Sequence, residues 1–222
     1  MAKNQRPERR PEPDEGPAGG PVNDSAEGAR PEPLSQGLSR GDRGSSRGIS
    51  EEKKLRVFLD ANILIRGITL PRFPYEVLRH AARGDFIPVF SPMVLDSARL
   101  YVRELFPDYQ EALEVLLALL EHELVPDPSP EEVAAHANLM RDEKDIPVAL
   151  AAIQANVDYL VSTDRDFTDV DDTTAELRRH LKPIRVGSFL REIMGRTSEA
   201  LSAIERRRWS DLERPFWEER GM

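Results

Sequence analysis

Four aspartates stand where short apolar runs stop or where helical patterns begin. Asp60 closes the strand-like run in Arg56-Val-Phe-Leu-Asp-Ala-Asn-Ile-Leu-Ile-Arg66, with Asn62 two residues on. About a hundred residues later Tyr159-Leu-Val-Ser-Thr-Asp carries a second run into Asp164, with Thr163 before it and Asp166 close behind. Asp145 precedes a strongly apolar stretch, Pro147 to Ala155. Each acid alone has an ordinary explanation, because Asp is a favoured helix N-cap and Asn62 can tie down a turn. Together they have a different one. Two unit charges about 4 Å apart repel by roughly 1 kcal/mol in water and about 4 kcal/mol near a protein surface. Carboxylates brought to one sheet edge therefore lose stability, take up protons or hold a cation. The chain has no Cys, and its four His, at 80, 122, 136 and 180, are scattered away from the acids. The ligands are then oxygens, which suits Mg²⁺ or Mn²⁺ rather than Zn²⁺. Cation-assisted attack of water on a phosphodiester is the chemistry such a site supports best.

Bringing the acids together requires strands that end at a common edge. Leu55 to Leu59, Phe86 to Phe90, Glu123 to Val125, Tyr159 to Ser162 and Ile184 to Val186 read as strands. Helical patterns alternate with them: from Ala61, over Tyr75 to Ala82 (stopped by Gly84), after Ser91-Pro92, and over Tyr109 to Glu121. Further helices are expected from the capping-box sequence Ser129-Pro-Glu-Glu132 to about Met140, over Pro147 to Ala155, Leu177 to Leu181 and Phe189 to Met194. Alternation of this kind predicts an α/β architecture with a mainly parallel sheet. Asp60 and Asp164 then fall at strand carboxyl ends, where open α/β sheets bind ligands.

The 222 residues carry a formal net charge of −9. Residues 1–52 are rich in Pro, Gly, Ser, Arg and Glu and nearly devoid of large apolar side chains, so they read as a disordered tail. That tail has neither the apolar core of a signal peptide nor the acid-poor composition of a transit peptide. Residues 53–195 have the size of one domain with a single core. Residues 196–222 read as a helical extension in which Pro215 interrupts the pattern and Trp209, Phe216 and Trp217 crowd together. No apolar run is long enough to span a membrane, and the lack of Cys fits a reducing cytoplasm.

Three blocks, Phe-Leu-Asp-Ala-Asn at 58–62, Asp-Glu-Lys-Asp-Ile-Pro-Val-Ala-Leu-Ala-Ala at 142–152 and Asp-Tyr-Leu-Val-Ser-Thr-Asp-Arg-Asp-Phe at 158–167, resemble the PIN-domain nucleases in order and spacing. The family includes the ribonuclease toxins of toxin–antitoxin pairs and stand-alone relatives, and the resemblance covers about Lys54 to Met194. It implies a three-layer α/β/α fold and Mg²⁺- or Mn²⁺-dependent cleavage of RNA. Carried over by position, Asp60, Asp145 and Asp164 match the family's metal-site acids. Asp166 matches an accessory acid, and Thr163 the small hydroxyl residue before the strand-end acid. The chain departs from the pattern on the helix after the second strand, where the family usually has Glu and this sequence has Ser97. Asp96 is adjacent but turned by about 100°, and Glu104 returns to that face about 10 Å further along. Asp142, three residues before Asp145, can reach the same site.

Phosphate contacts dominate nucleic-acid affinity, so Arg66 and Arg165, with Arg72, are the candidate RNA contacts beside the acid motifs. The C-terminal aromatics are expected to bury against the same chain or a dimer mate rather than RNA. The resemblance implies an antitoxin protein and a homodimer among the partners. Two alternatives to a nuclease are a catalytically weak or inactive module that binds RNA or protein, and an aspartate-nucleophile phosphatase. The latter wants an acid where Asn62 stands.

Overall fold

The computed structural model describes residues 54–219; the tail expected over residues 1–52 lies outside the described residues. Five strands, β1 (Arg56–Leu59), β2 (Ile87–Phe90), β3 (Glu123–Leu124), β4 (Tyr159–Ser162) and β5 (Pro183–Arg185), form one sheet in the order β3-β2-β1-β4-β5. Every pairing is parallel, so the sheet is wholly rather than mainly so. The composition of β1 explains its central place: Val57, Phe58 and Leu59 are fully buried, as a strand covered on both faces requires. Pro183 opens the edge strand β5, where its missing N–H costs no ladder bond.

From β1 the chain moves outward one way to β2 and β3, and then returns across the sheet to β4 and β5. Parallel crossovers are right-handed, so the two directions place their helices on opposite faces. Helices α1 (Ala61–Thr69), α2 (Phe73–Ala82), α3 (Pro92–Leu105) and α4 (Gln110–Leu119) belong to the outward half. Helices α5 (Pro130–Ala135), α6 (Ile146–Gln154), α7 (Arg165–Thr168) and α8 (Ala175–His180) belong to the return. The result is the α/β/α sandwich expected from the sequence, with its direction of winding reversed between β1 and β4.

Some boundaries differ. The capping box at Ser129 and Glu132 is present, yet α5 ends at Ala135 rather than near Met140. His136 leaves helical geometry (φ −113°, ψ 27°), and its Nδ1 lies 2.7 Å from the Glu132 carbonyl, taking the place of a continuing backbone donor. Helix α2 begins at Phe73 rather than Tyr75, with Pro74 in its first turn, where a missing N–H is tolerated. Between α1 and α2 a Cβ on Gly67 would come within 2.2 Å of Leu78 Cδ1, so glycine is what lets these helices approach.

Beyond β5, α9 (Val186–Ser188) runs into a π-turn over Phe189–Ile193, followed by α10 (Ser198–Arg206) and α11 (Phe216–Glu219). The helical extension breaks before Pro215: α10 stops at Arg206, and Trp209 begins a separate 3₁₀ turn. This extension packs on its own chain. Tyr75 stacks edge-on against Trp209, Phe216 and Trp217 with ring centres 5.1–5.6 Å apart, and Tyr75 Oη accepts the Phe216 N–H at 3.0 Å. Around them the buried carboxylate of Glu76 accepts from Arg196 at 2.6 Å and Arg207 at 3.2 Å. Arg207 also donates to the Pro71 carbonyl, and Trp209 Nε1 to that of Thr69.

Removing one member of a buried ion network leaves the others uncompensated, at a cost of about 3–5 kcal/mol. Glu76→Gln is therefore expected to lose roughly 3 kcal/mol in urea denaturation; a loss within 0.5 kcal/mol, the scale of an ordinary surface change, would show that the network does not hold the extension.

Candidate metal centre

Asp60 follows β1 directly and is 7% exposed. Its N–H donates to the Val161 carbonyl at 3.2 Å, continuing the β1–β4 ladder past the end of the strand. As N-cap of α1 its side chain makes no capping bond. Instead the Asp60 carboxylate accepts the Ser162 hydroxyl at 2.7 Å and the Asn62 amide at 3.2 Å. Burial pushes the Asp60 carboxyl up, the bonds from Ser162 and Asn62 pull it down, and the nearby charge of Asp164 adds to the rise.

Ser162 does two things at once. Its hydroxyl donates to Asp60 and accepts the backbone N–H of Asp164 at 2.9 Å, so it couples the two strand-end acids. The resemblance put the accessory hydroxyl at Thr163; strand alternation puts residues 162 and 164 on the same side and 163 on the other. Period-two counting back from Asp164 is thus the signal that finds Ser162. Thr163 is half-buried and faces a separate groove. The β1–β2 register continued two residues past Phe58 and Val89 sets Ser91 beside Asp60 on the β2 side, and the Ser91 hydroxyl is buried without a hydrogen-bond partner. Ser91 is the N-cap residue of α3, yet its side chain makes no capping bond.

Asp164 uses Oδ1 to accept the Asp166 N–H at 2.9 Å, capping α7. Asp166 in turn takes an ion pair from Arg141 at 2.6 Å. Arg141 is mostly exposed, so that pair is weak and displaceable. Asp145 begins α6 with no side-chain capping bond. Burial, followed by the charges of Asp164, Asp142, Asp60 and Asp166, raises its carboxyl from 3.8 to about 6. That ordering locates the five acids: all four others act on Asp145.

The carboxylate oxygens that lie closest come from Asp142, Asp145 and Asp166, all within 4.8 Å of one another. Among the described residues this is the one such trio, rather than Asp60, Asp145 and Asp164. In this arrangement Ser162 and Asn62 engage the Asp60 carboxylate, and Asp164 Oδ1 accepts from its own helix. Asp96 is exposed and pairs with Arg99 at 3.7 Å, which also pairs with Glu114. Ser97 and Glu104 are exposed on α3, as are Arg66 on α1 and Arg165 on α7. Arg141 was not singled out from sequence, and nothing in its local pattern marks it.

The donor set is all oxygen, crowded and short of positive charge, which fits a hard divalent cation. A family model described as PIN domain matches residues 56–166, half of the chain. No curated protein matches. Among solved structures, PAE2754 from Pyrobaculum aerophilum is similar at 16% identity with a TM-score of 0.43, over 69% of this chain and 100% of that one. VapBC2 from Rickettsia felis, solved bound to a DNA fragment from their promoter, is similar at 20% identity with a TM-score of 0.43, over 59% of this chain and 98% of that one.

Without a cation, a carboxyl raised to about 6 from an unfolded value near 3.8 stabilises the fold while protonated. That contribution is complete below the unfolded value and is lost as pH rises toward and through 6. In chelator, Asp145→Asn should gain stability over the wild type between about pH 4 and 6, levelling at about 1–2 kcal/mol once the partial exposure of Asp145 is allowed for. Urea midpoints of both proteins from pH 4 to 7.5 test it; a difference that does not change with pH contradicts the crowding.

Proposed function

Because this chain belongs to the PIN-domain family, we propose that it is a divalent-metal-dependent ribonuclease that hydrolyses RNA phosphodiester bonds. The observation that carries the proposal is the convergence of five aspartates where β1 and β4 end, where burial first and the neighbouring charges second lift Asp145 to about 6. Asp60, Asp145, Asp164 and Asp166, with Asp142 alongside, are the residues that would hold Mg²⁺ or Mn²⁺. A cation bound there supplies neutralisation of the scissile phosphate's charge and acidification of the attacking water.

The remaining work falls to the chain. Ser162 and Asn62 fix the orientation of Asp60, and Ser162 ties Asp164 to it, so neither acid has to be ordered when substrate arrives. Asp145 gives up its proton above about pH 6, which makes the full charge of the site available near neutrality. Arg141 shields Asp166 from outside and is exposed enough to leave it. A cytoplasmic location belongs to this proposal on the strength of the chain's lack of Cys. Among the described residues no helix is long and apolar enough to cross a membrane. An antitoxin protein and a homodimer belong to the same proposal, and a small DNA-binding protein encoded immediately upstream would support the first.

Ser97 favours a second reading. The helix α3 brings no carboxylate to the centre from that position, and Asp96 is engaged by Arg99. In this reading the chain is a catalytically weak or inactive module that binds RNA or a protein partner.

Mn²⁺-dependent cleavage of a single-stranded RNA should fall at least about 100-fold in Asp60→Asn and in Asp164→Asn, with unchanged circular dichroism. Full activity in both variants would end the nuclease assignment, and no cleavage by the wild type with either cation would favour the binding module.

A further inference from the structure

A groove of about 250 Å³, separate from the acids but sharing with them the end of β4 through Thr163, is lined also by Arg66, Leu70, Arg72, Phe73 and Glu205. Its inner end is Thr163, the residue between Ser162 and Asp164. From there the wall climbs α1: Arg66 stands four residues after Asn62, one helical turn on, and so on the same face as the amide that holds Asp60. The opposite lip is the turn into α2, which carries Leu70, Arg72 and Phe73.

Arg66 and Arg72 are exposed and make no ion pair among the described residues, although Glu205 lines the same groove. Leu70 is 44% exposed, an apolar surface that this stretch leaves in water. Two uncommitted guanidinium groups beside a leucine and a half-buried phenyl ring match the two faces of one nucleotide: phosphate for the arginines, base for the apolar side. A duplex keeps its bases stacked inward and has none to offer. The lip is also held firmly. Trp209 Nε1 donates to the Thr69 carbonyl at 3.0 Å and Arg207 Nε to the Pro71 carbonyl at 2.5 Å, so the C-terminal extension fixes the turn that presents Arg72.

We propose that this groove binds a nucleotide of single-stranded RNA next to the scissile phosphate, with Arg66 and Arg72 on the backbone phosphate and Phe73 and Leu70 against the base. Glu205, contributed by α10, narrows the path from the other side and opposes a second phosphate. The choice of RNA rests on the nuclease reading given above; the groove itself rests on its own residues.

The test is binding of a fluorescein-labelled twelve-nucleotide uridine RNA to the full-length protein in chelator, read by anisotropy over a range of salt. Arg66→Gln and Arg72→Gln should each weaken binding about five-fold and lower the slope of log K against log salt by about 0.7. Glu205→Gln should tighten binding about two-fold, by removing an acid from the phosphate path. Arg103→Gln, an exposed arginine on α3 outside the groove, should bind as the wild type does. A double-stranded RNA of equal length should compete poorly. The groove is overturned if both groove variants bind as the wild type does, if the wild type does not bind, or if the duplex competes equally. These outcomes separate from those of the nuclease reading. Cleavage with binding that ignores Arg66 and Arg72 removes the groove and keeps the enzyme. Arginine-dependent binding without cleavage removes the enzyme and keeps the groove.

Discussion

Like charges crowd where β1 and β4 end, and the surrounding structure is arranged so that they can stay there. The sheet order puts these two strands side by side at the point where the winding reverses, the place in an open α/β sheet where helices diverge and leave a crevice. Asp60 and Asp164 reach that crevice from the two strands, and Asp145 arrives on α6 from the other side. Left alone, the group would repel itself by several kcal/mol. The structure answers in part with Ser162, Asn62 and Arg141, and in part by raising Asp145 to about 6. Neither removes the charge. What remains is a concentration of negative charge that fits a divalent cation.

The C-terminal extension serves the same crevice from a distance. Tyr75 gathers Trp209, Phe216 and Trp217 around it, and Glu76 draws in Arg196 and Arg207, so the extension is bolted to α2 by both apolar and ionic contacts. His80 joins them: its Nε2 accepts from Arg196 Nε at 3.2 Å, which leaves Nδ1 to donate to Asp85. Two further bonds run from this bolt to the backbone of Thr69 and Pro71. A packing arrangement remote from the acids thus fixes the turn that carries Leu70, Arg72 and Phe73 of the neighbouring groove.

Much of this was legible in the residues. Runs such as Val57-Phe-Leu and Leu160-Val betray buried strands because a parallel sheet covered on both faces leaves them no polar side. The acids after them were identifiable by position alone. Register and fine geometry were less accessible. Ser162 sits inside a quoted motif, yet its role depends on which side of β4 it faces. The trio Asp142, Asp145 and Asp166, and the hydrogen bonds that engage Asp60 and Asp164 instead, depend on side-chain geometry that no spacing reveals. The end of α5 escaped notice for a similar reason, since the His136 ring takes the carbonyl that the next turn would have used.

Calorimetric titration of Mn²⁺ into the full-length protein at pH 5.5 and at pH 7.5, each in two buffers of different ionisation enthalpy, probes the crowded carboxylates most directly. At pH 5.5 a cation entering this site must expel the proton that Asp145 holds, so the heats should differ between buffers. By pH 7.5 that difference should shrink, and Asp145→Asn should abolish it. Absence of binding, or heats at pH 5.5 that are the same in both buffers, would contradict a cation held among these acids.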